Sequence, residues 1–529
     1  MVVQGKNIIG FSLSAASEEF VNSYDPREAR TLEKFYMATK EEIEETLQKA
    51  AKAFEVYKQF PGSKKADFLE AIADEILVLD DELVQMAVKE SGLPEARIIG
   101  ERGRTVGQLM LFAQLLREGS WVDAIIETAQ LAREPLPKPD IRKMLVPVGP
   151  VVVFAASNFP LAFSTAGGDT ASALAAGNPV IIKAHMSHLG TNELVARAIA
   201  KAAQNTGMPD GVFSSLNGRG SSLGQQLVMH PVVKSVGFTG SFTGGMALYK
   251  AAAQREDPIP VFAEMGSVNP VILLPGKLKA SAAETAKQYA GSITLGVGQF
   301  CTNPGLLLAI EGEELKSFLE TLASEIQEVT PATMLNEGIW KSYQSGKVKV
   351  LEQIGVTLLG AGAEQEGNHL GSAAVAQVSG EDFLDNPNLH EEVFGPFSLV
   401  VKCTDKEQLL KVIRTIKGQL TSTIMAEPGE LEDYQDIVRA ASDVAGRLLF
   451  NGVPTGVEVC HAMQHGGPFP SSTDSRFTSV GTDAIKRFVR PLALQGFPEE
   501  MLPDEVKNSN PLGIWRKVNG ELTRDAING

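Results

Sequence analysis

One cysteine stands where its thiol can react. In Gly298-Gln-Phe-Cys301-Thr-Asn-Pro-Gly305 it is flanked by glycines and followed by the apolar run Leu306–Ile310. Such a turn ahead of a strand can hold a thiol at a cleft as a nucleophile, and the same pattern also suits a buried, inert cysteine. Glu264 closes the strand-like run Val261–Met265, where a carboxylate is placed for acid–base work or is simply solvated. Asn158, in Ala156-Ser-Asn-Phe-Pro160, follows the run Val151–Ala155. Its amide can donate to a developing oxyanion or cap the next helix.

Two further features read as anion-binding. Gly237-Phe-Thr-Gly-Ser-Phe-Thr-Gly-Gly245 joins a strand to a helix, so Gly240, Ser241 and Gly245 would let a pyrophosphate approach a positive helix end. The spacing differs from G-x-G-x-x-G, so alone it is a weak dinucleotide signal. Lys183 ends the run Pro179–Lys183, where either a nucleotide ribose or plain solvent would meet it.

Positioning these side chains takes a particular architecture. Short apolar runs alternate with helical stretches from Val151 to Met265, the helices falling at Leu161–Ala176, Asn192–Thr206, Ser222–Met229 and Thr243–Gln254. That alternation implies a parallel sheet with helices on both faces and ligands beyond the strand ends. A second alternating series runs from Val271 to Asn451. The first hundred residues read as helical, with a capping box at Thr39 and Glu42 and a stop at Gly92.

Composition sets the outer limits. With 529 residues, 64 acidic against 48 basic side chains and a net charge of −16, the chain is a multi-domain acidic protein, which argues against nucleic acid or an anionic membrane as partner. Three cysteines are too few for a disulfide framework or a four-ligand zinc site, so no metal is expected and a reducing cytoplasm is the expected location. The uncharged stretch Met144–Gly168 contains Pro147, Pro150 and Pro160, which makes it a strand and turn and not a membrane span. The N-terminus carries no secretory signal pattern.

In chain order, Asn158-Phe-Pro, Lys183, Phe238-Thr-Gly-Ser241, Glu264-Met-Gly266, Cys301 and Glu392-Val-Phe-Gly-Pro396 resemble the aldehyde dehydrogenase superfamily. The run Cys460-His-Ala-Met-Gln-His-Gly-Gly-Pro-Phe-Pro470, with Gly100-Glu-Arg-Gly-Arg104, is similar to the branch that includes 2,5-dioxovalerate (α-ketoglutarate semialdehyde) dehydrogenases, with long-chain aldehyde dehydrogenases nearby. The resemblance implies an α/β fold with a Rossmann-type cofactor domain (1–120 and 145–265), a catalytic domain (266–480) and a β oligomerisation element with a C-terminal tail (121–144 and 481–529). It implies a dimer or tetramer, and oxidation of a small aldehyde to an acid, with 2,5-dioxovalerate first and a broad or long-chain aldehyde as the alternative. Cys301 would be the nucleophile, Asn158 the oxyanion donor and Glu264 the base that activates water. Glu392 and Phe394 would hold the nicotinamide ribose, and Ser241 with its glycine neighbours the pyrophosphate.

Departures from the family pattern refine this reading. Met186 stands where many NAD-preferring members carry a ribose-binding Glu, so a 2′-phosphate meets no repulsion. Lys183, His185, Ser187 and Arg219 then become its expected partners, with NADP the expected cofactor and NAD possible. Arg104 is the candidate for a substrate carboxylate. Phe159, His461 and His465 are expected along the pocket, one histidine lending positive charge to the thiolate or simply packing.

Overall fold

The computed structural model describes residues 2–527. The chain opens with two hairpins, β1 (Asn7–Ile9) with β2 (Ser12–Ser14) and β3 (Phe20–Asp25) with β4 (Arg30–Tyr36). Sequence reading assigned this region to helix. Its strands are short and half polar, so they give no apolar run to recognise. Helices α1 (Lys40–Tyr57), α2 (Gly62–Val78) and α3 (Asp80–Ser91) follow as expected. Thr39 and Glu42 complete the capping box of α1, and Gly92 ends α3 at φ 66°. Next comes α4 (Glu95–Glu118), a 24-residue helix interrupted by three glycines that had not been expected.

After the strands β5 (Ile125–Glu127) and β6 (Ile141–Pro147) comes the first α/β unit. Its strands are β7 (Val151–Phe154), β8 (Val180–Lys183), β9 (Phe213–Leu216), β10 (Ser235–Thr239) and β11 (Val261–Glu264), alternating with α5 (Gly168–Ala176), α6 (Leu189–Asn205), α7 (Gln225–Met229) and α8 (Phe242–Ala253). They form the sheet β11-β10-β7-β8-β9, parallel throughout, which β1 and β2 extend in antiparallel fashion. Every residue of β7, β8 and β9 is buried, which is why they read as continuous apolar or small-residue runs. The expected helix at Leu161 starts only at Gly168. Glu101 takes the N–H groups of Leu161 and Ala162 at 2.8 and 2.9 Å, and this holds the preceding residues in turns.

The second unit contains β12 (Val271–Leu273), β13 (Leu306–Ile310), β15 (Thr357–Ala361), β17 (Ala374–Ser379), β18 (Phe397–Cys403), β19 (Gln419–Met425) and β20 (Ala445–Phe450), in the order β15-β17-β18-β13-β12-β19-β20. Only β15 runs antiparallel. A minor pair, β14 (Ala332–Thr333) with β16 (Leu370–Gly371), lies to one side. A third sheet, β21-β6-β5-β22-β23, gathers β5 and β6 with β21 (Val489–Gln495), β22 (Arg516–Val518) and β23 (Glu521–Thr523). This sheet therefore draws its strands from residues 125–147 and from residues 489–523 of the C-terminal stretch, the polar tail supplying β22 and β23. No helix among the described residues is long and apolar enough to cross a membrane.

Candidate active site

The site forms where the ends of β7 and β11, the turn before β13 and the segment before β21 converge. The residues just before Cys301 turn sharply: Gly296, Val297 and Gly298 all adopt left-handed φ values of 57°, 58° and 64°. For β-branched Val297 this conformation is strained. Gly298 is obligatory, since a Cβ there would lie 2.3 Å from the Gly395 carbonyl. Asn269 fixes the far side of the turn, its Nδ2 donating to the Cys301 and Asn303 carbonyls at 2.9 Å each.

Around the half-buried Cys301 thiol the expected residues assemble. The Sγ lies 3.5 Å from His465 Nε2, which in turn lies 3.0 Å from Glu264 Oε1. The Ser479 hydroxyl donates to Glu264 Oε2. Asn158 reaches the same turn, one amide N–H donating to the Gln299 carbonyl at 3.1 Å. Burial pushes the Cys301 thiol well above its ordinary range, the Glu264 charge adds to this and Arg104 opposes it. For Glu264, burial pushes upward, but His465, the Ser479 hydroxyl and Arg487 outweigh it, and the net shift is downward.

One face of α4 organises the mouth. Arg97 donates to the Asn158 carbonyl at 3.2 Å and stacks between Phe159 and Phe300, while Glu101 holds the next turn. Arg104 lies over Phe163, its guanidinium 5.2 Å from the ring centre. Its buried Nε and Nη2 have no hydrogen-bond partner, and no ion pair reaches it among the described residues. Beside it a cleft of about 430 Å³ is lined by Arg104, Gln108, Met110, Leu111, Val457 and Val459. Sequence reading found Arg104 but missed Arg97 and Glu101; their i, i+4 and i+7 spacing with Arg104 was the available signal.

At the same carboxyl edge of the first sheet, in register with Phe154 of β7, Lys183 is buried, unpaired among the described residues, and lowered by burial to about 8. His185 and His188 stack at 5.4 Å beside it, and burial, before all else, lowers both. The His188 Nδ1 is buried without a partner. Ser187 accepts from Asn336 at 2.8 Å, and Arg219 is exposed at the end of β9. Ser241 caps α8 by accepting from the Gly244 N–H at 3.2 Å, with Gly240 next to it. Glu392 keeps part of its surface open, yet protein packed against its carboxyl raises it to about 7. It stands against Gly266, where a Cβ would meet its carboxylate at 2.2 Å, and Phe394 shares its cavity wall.

Two expected residues lie elsewhere. Gly245 is buried against Met265, where a Cβ would come within 2.7 Å, so its small size serves helix–strand packing and not the open face of the turn. His461 is exposed and bonded to Thr482 at 3.2 Å, while His465 alone reaches the thiol.

A family model described as the aldehyde dehydrogenase family matches residues 13–491. The chain belongs to the aldehyde dehydrogenase family. This dehydrogenase is 49% identical over 524 residues to alpha-ketoglutaric semialdehyde dehydrogenase 2 of Azospirillum brasilense, covering 98% of this chain and all of that protein (100%). It is 45% identical over 525 residues to alpha-ketoglutaric semialdehyde dehydrogenase of Acinetobacter baylyi, covering 98% and 99%. Among solved structures, betaine aldehyde dehydrogenase from Staphylococcus aureus in complex with NAD+ gives a TM-score of 0.80 at 19% identity, covering 94% of this chain and 96% of that one. The 1-pyrroline-5-carboxylate dehydrogenase from Thermus with bound NAD gives 0.78 at 23%, covering 93% and 92%. At these identities the structural likeness speaks for the fold. Membership of the family makes the protein an NAD(P)-dependent aldehyde dehydrogenase.

Proposed function

We propose that this dehydrogenase oxidises 2,5-dioxovalerate to 2-oxoglutarate. The observation that carries the substrate class is Arg104: a largely buried guanidinium with orphaned N–H groups, at the wall of a cleft and close enough to Cys301 to act on its charge. Unpaired buried charge is costly, so such a group is retained for a ligand carboxylate. The names of the two full-length relatives support the same aldehyde.

In the proposed chemistry the Cys301 sulfur attacks the aldehyde carbon. The oxyanion accepts from the free N–H of the Asn158 amide and from the Cys301 backbone N–H; one such donor contributes about 10²–10³ in rate. A pyridine nucleotide, when bound, supplies the two-electron acceptor. Residues that fit it are the unpaired Lys183, the orphaned His188 Nδ1 and Ser187 for a 2′-phosphate, Ser241 and Gly240 for the pyrophosphate, and Glu392 for the nicotinamide ribose. Lys183 beside Met186 favours NADP. Glu264 then takes a proton from water as it hydrolyses the thioester. The three free thiols suit a reducing cytoplasm, and the edge strands β20 and β21 suit homo-oligomers built by sheet extension.

Steady-state kinetics with NAD and NADP against 2,5-dioxovalerate and a neutral aldehyde of equal length test the reading. The oxo acid should show the higher kcat/KM, and Arg104→Gln should raise KM for it about tenfold or more while sparing the neutral aldehyde. Equal effects on both aldehydes would remove Arg104 from substrate recognition.

A further inference from the structure

A nucleophilic sulfur anion at Cys301 has to arise beside a carboxylate. Burial and the Glu264 charge both resist that, and the Arg104 guanidinium, needed for substrate, offsets them only in part. A proton must leave the thiol, and Glu264 is poorly placed to keep it. Its Oε2 already accepts from Ser479, and the hydrolysis step requires it unprotonated.

One ring nitrogen faces both groups. We propose that His465 is a catalytic residue that borrows the Cys301 proton: its Nε2 takes the proton as sulfur attacks the aldehyde and returns it when sulfur leaves the thioester. The inference rests on Cys301 being the nucleophile. The geometry is direct, with Nε2 3.5 Å from Sγ and 3.0 Å from Glu264 Oε1, so the carboxylate favours a proton arriving on the ring.

The ring is buried and held as one block with Glu264. The His465 N–H donates to Thr478 Oγ1 at 2.8 Å, the Ser479 N–H donates to the His465 carbonyl at 2.8 Å, and the same Ser479 hydroxyl holds the carboxylate. The His465 Nδ1 makes no hydrogen bond among the described residues, so no carbonyl behind the ring fixes its tautomer. The charged and titratable groups around this block are Glu264 from β11, Cys301 from the turn before β13, Arg104 and Glu101 from α4, and Arg487 ahead of β21. Glu392 and Arg447 lie further out.

The step balances. The S–H bond breaks, its electron pair enters the new C–S bond, and the proton forms an N–H bond at Nε2. On hydrolysis the C–S bond breaks, sulfur departs with the pair and recovers that proton. The proton that Glu264 took from water leaves separately to solvent.

Alkylation of the folded enzyme by iodoacetamide tests this without any aldehyde. In the wild type, Cys301 should already label at neutral pH, below the range to which burial beside Glu264 alone would hold it, because Nε2 takes the proton as sulfur attacks. In His465→Gln the midpoint of the labelling rate should move up by about one unit or more, a tenfold loss at neutral pH, and the rate should recover in alkali. Its kcat/KM should fall by about 10²-fold or more and climb with pH, with the Kd for NADP unchanged. Superimposable labelling profiles would overturn the proposal, as would a variant that binds NADP normally yet labels slowly at every pH, since that marks a purely structural role. If His465→Gln does not fold, the labelling profile of the wild type against Cys301→Ala decides alone; labelling that appears only in alkali, above the range of a free thiol, overturns the idea. Shifted labelling without turnover of 2,5-dioxovalerate would instead sink the substrate reading and leave His465 in place.

Discussion

Lys183 carries the clearest pH consequence among single residues. Burial lowers it to about 8, so its cation is present at neutral pH and is lost as pH rises. A bound 2′-phosphate would raise that value in the complex, and NADP affinity should therefore fall as pH climbs above about 8, by up to tenfold per unit. NAD, lacking the phosphate, should keep its affinity across the same range. Fluorescence titration at several pH values measures both, and Lys183→Met should flatten the NADP curve; equal pH dependence for the two cofactors would take Lys183 out of the phosphate site. Cys301, Glu264, Asn158 and Lys183 were all legible in the sequence because each ends a buried strand, follows one ahead of a proline, or sits in a glycine-marked turn. Arg97 and Glu101 left only their spacing with Arg104 as a signal and Ser479 left none, since their partners are brought near only by tertiary packing.

At the scale of elements, α4 is the organiser of the mouth. Arg97, Glu101 and Arg104 occupy one face, and the first two fix the turn that carries Asn158 and Phe159. Glu101→Ala leaves two buried N–H groups and a guanidinium without their carboxylate, so it should cost about 3 kcal/mol. Urea unfolding gives that number. Turnover should drop in parallel because Asn158 loses its support, whereas Glu101→Gln keeps an acceptor and should cost less. The sequence concealed this helix because Gly100, Gly103 and Gly107 interrupt its apolar period, and no Cβ contact awaits at any of them. By contrast, the parallel strands of both main sheets were readable as compact runs of apolar and small residues, except β17, whose short Ala-Val pattern is indistinct. The N-terminal hairpins escaped detection because half of their side chains face water.

For the whole molecule, the outermost strands bear on assembly. Strand β20 ends the second sheet with Leu448 and Phe450 39% and 49% exposed, an apolar edge that invites a partner strand. Leu448→Lys with Phe450→Glu should shift sedimentation towards the monomer while leaving the circular dichroism spectrum intact. An unchanged sedimentation coefficient would place the contact elsewhere.

The stretch from His465 to Ser479 touches both main sheets through bare backbone. At one end, Gly446 and Gly467 admit carbonyls where a Cβ would come within 1.9 and 2.1 Å. At the other, Met265 and Thr473 exchange main-chain bonds with Ser471 and Ala263 at 2.8 and 3.0 Å. With so little slack, this stretch behaves as a fuse between the two halves. Gentle warming that lets them slip by a fraction of a bond length would part sulfur, imidazole and carboxylate while each sheet is still whole, and activity would fade before the molecule melts.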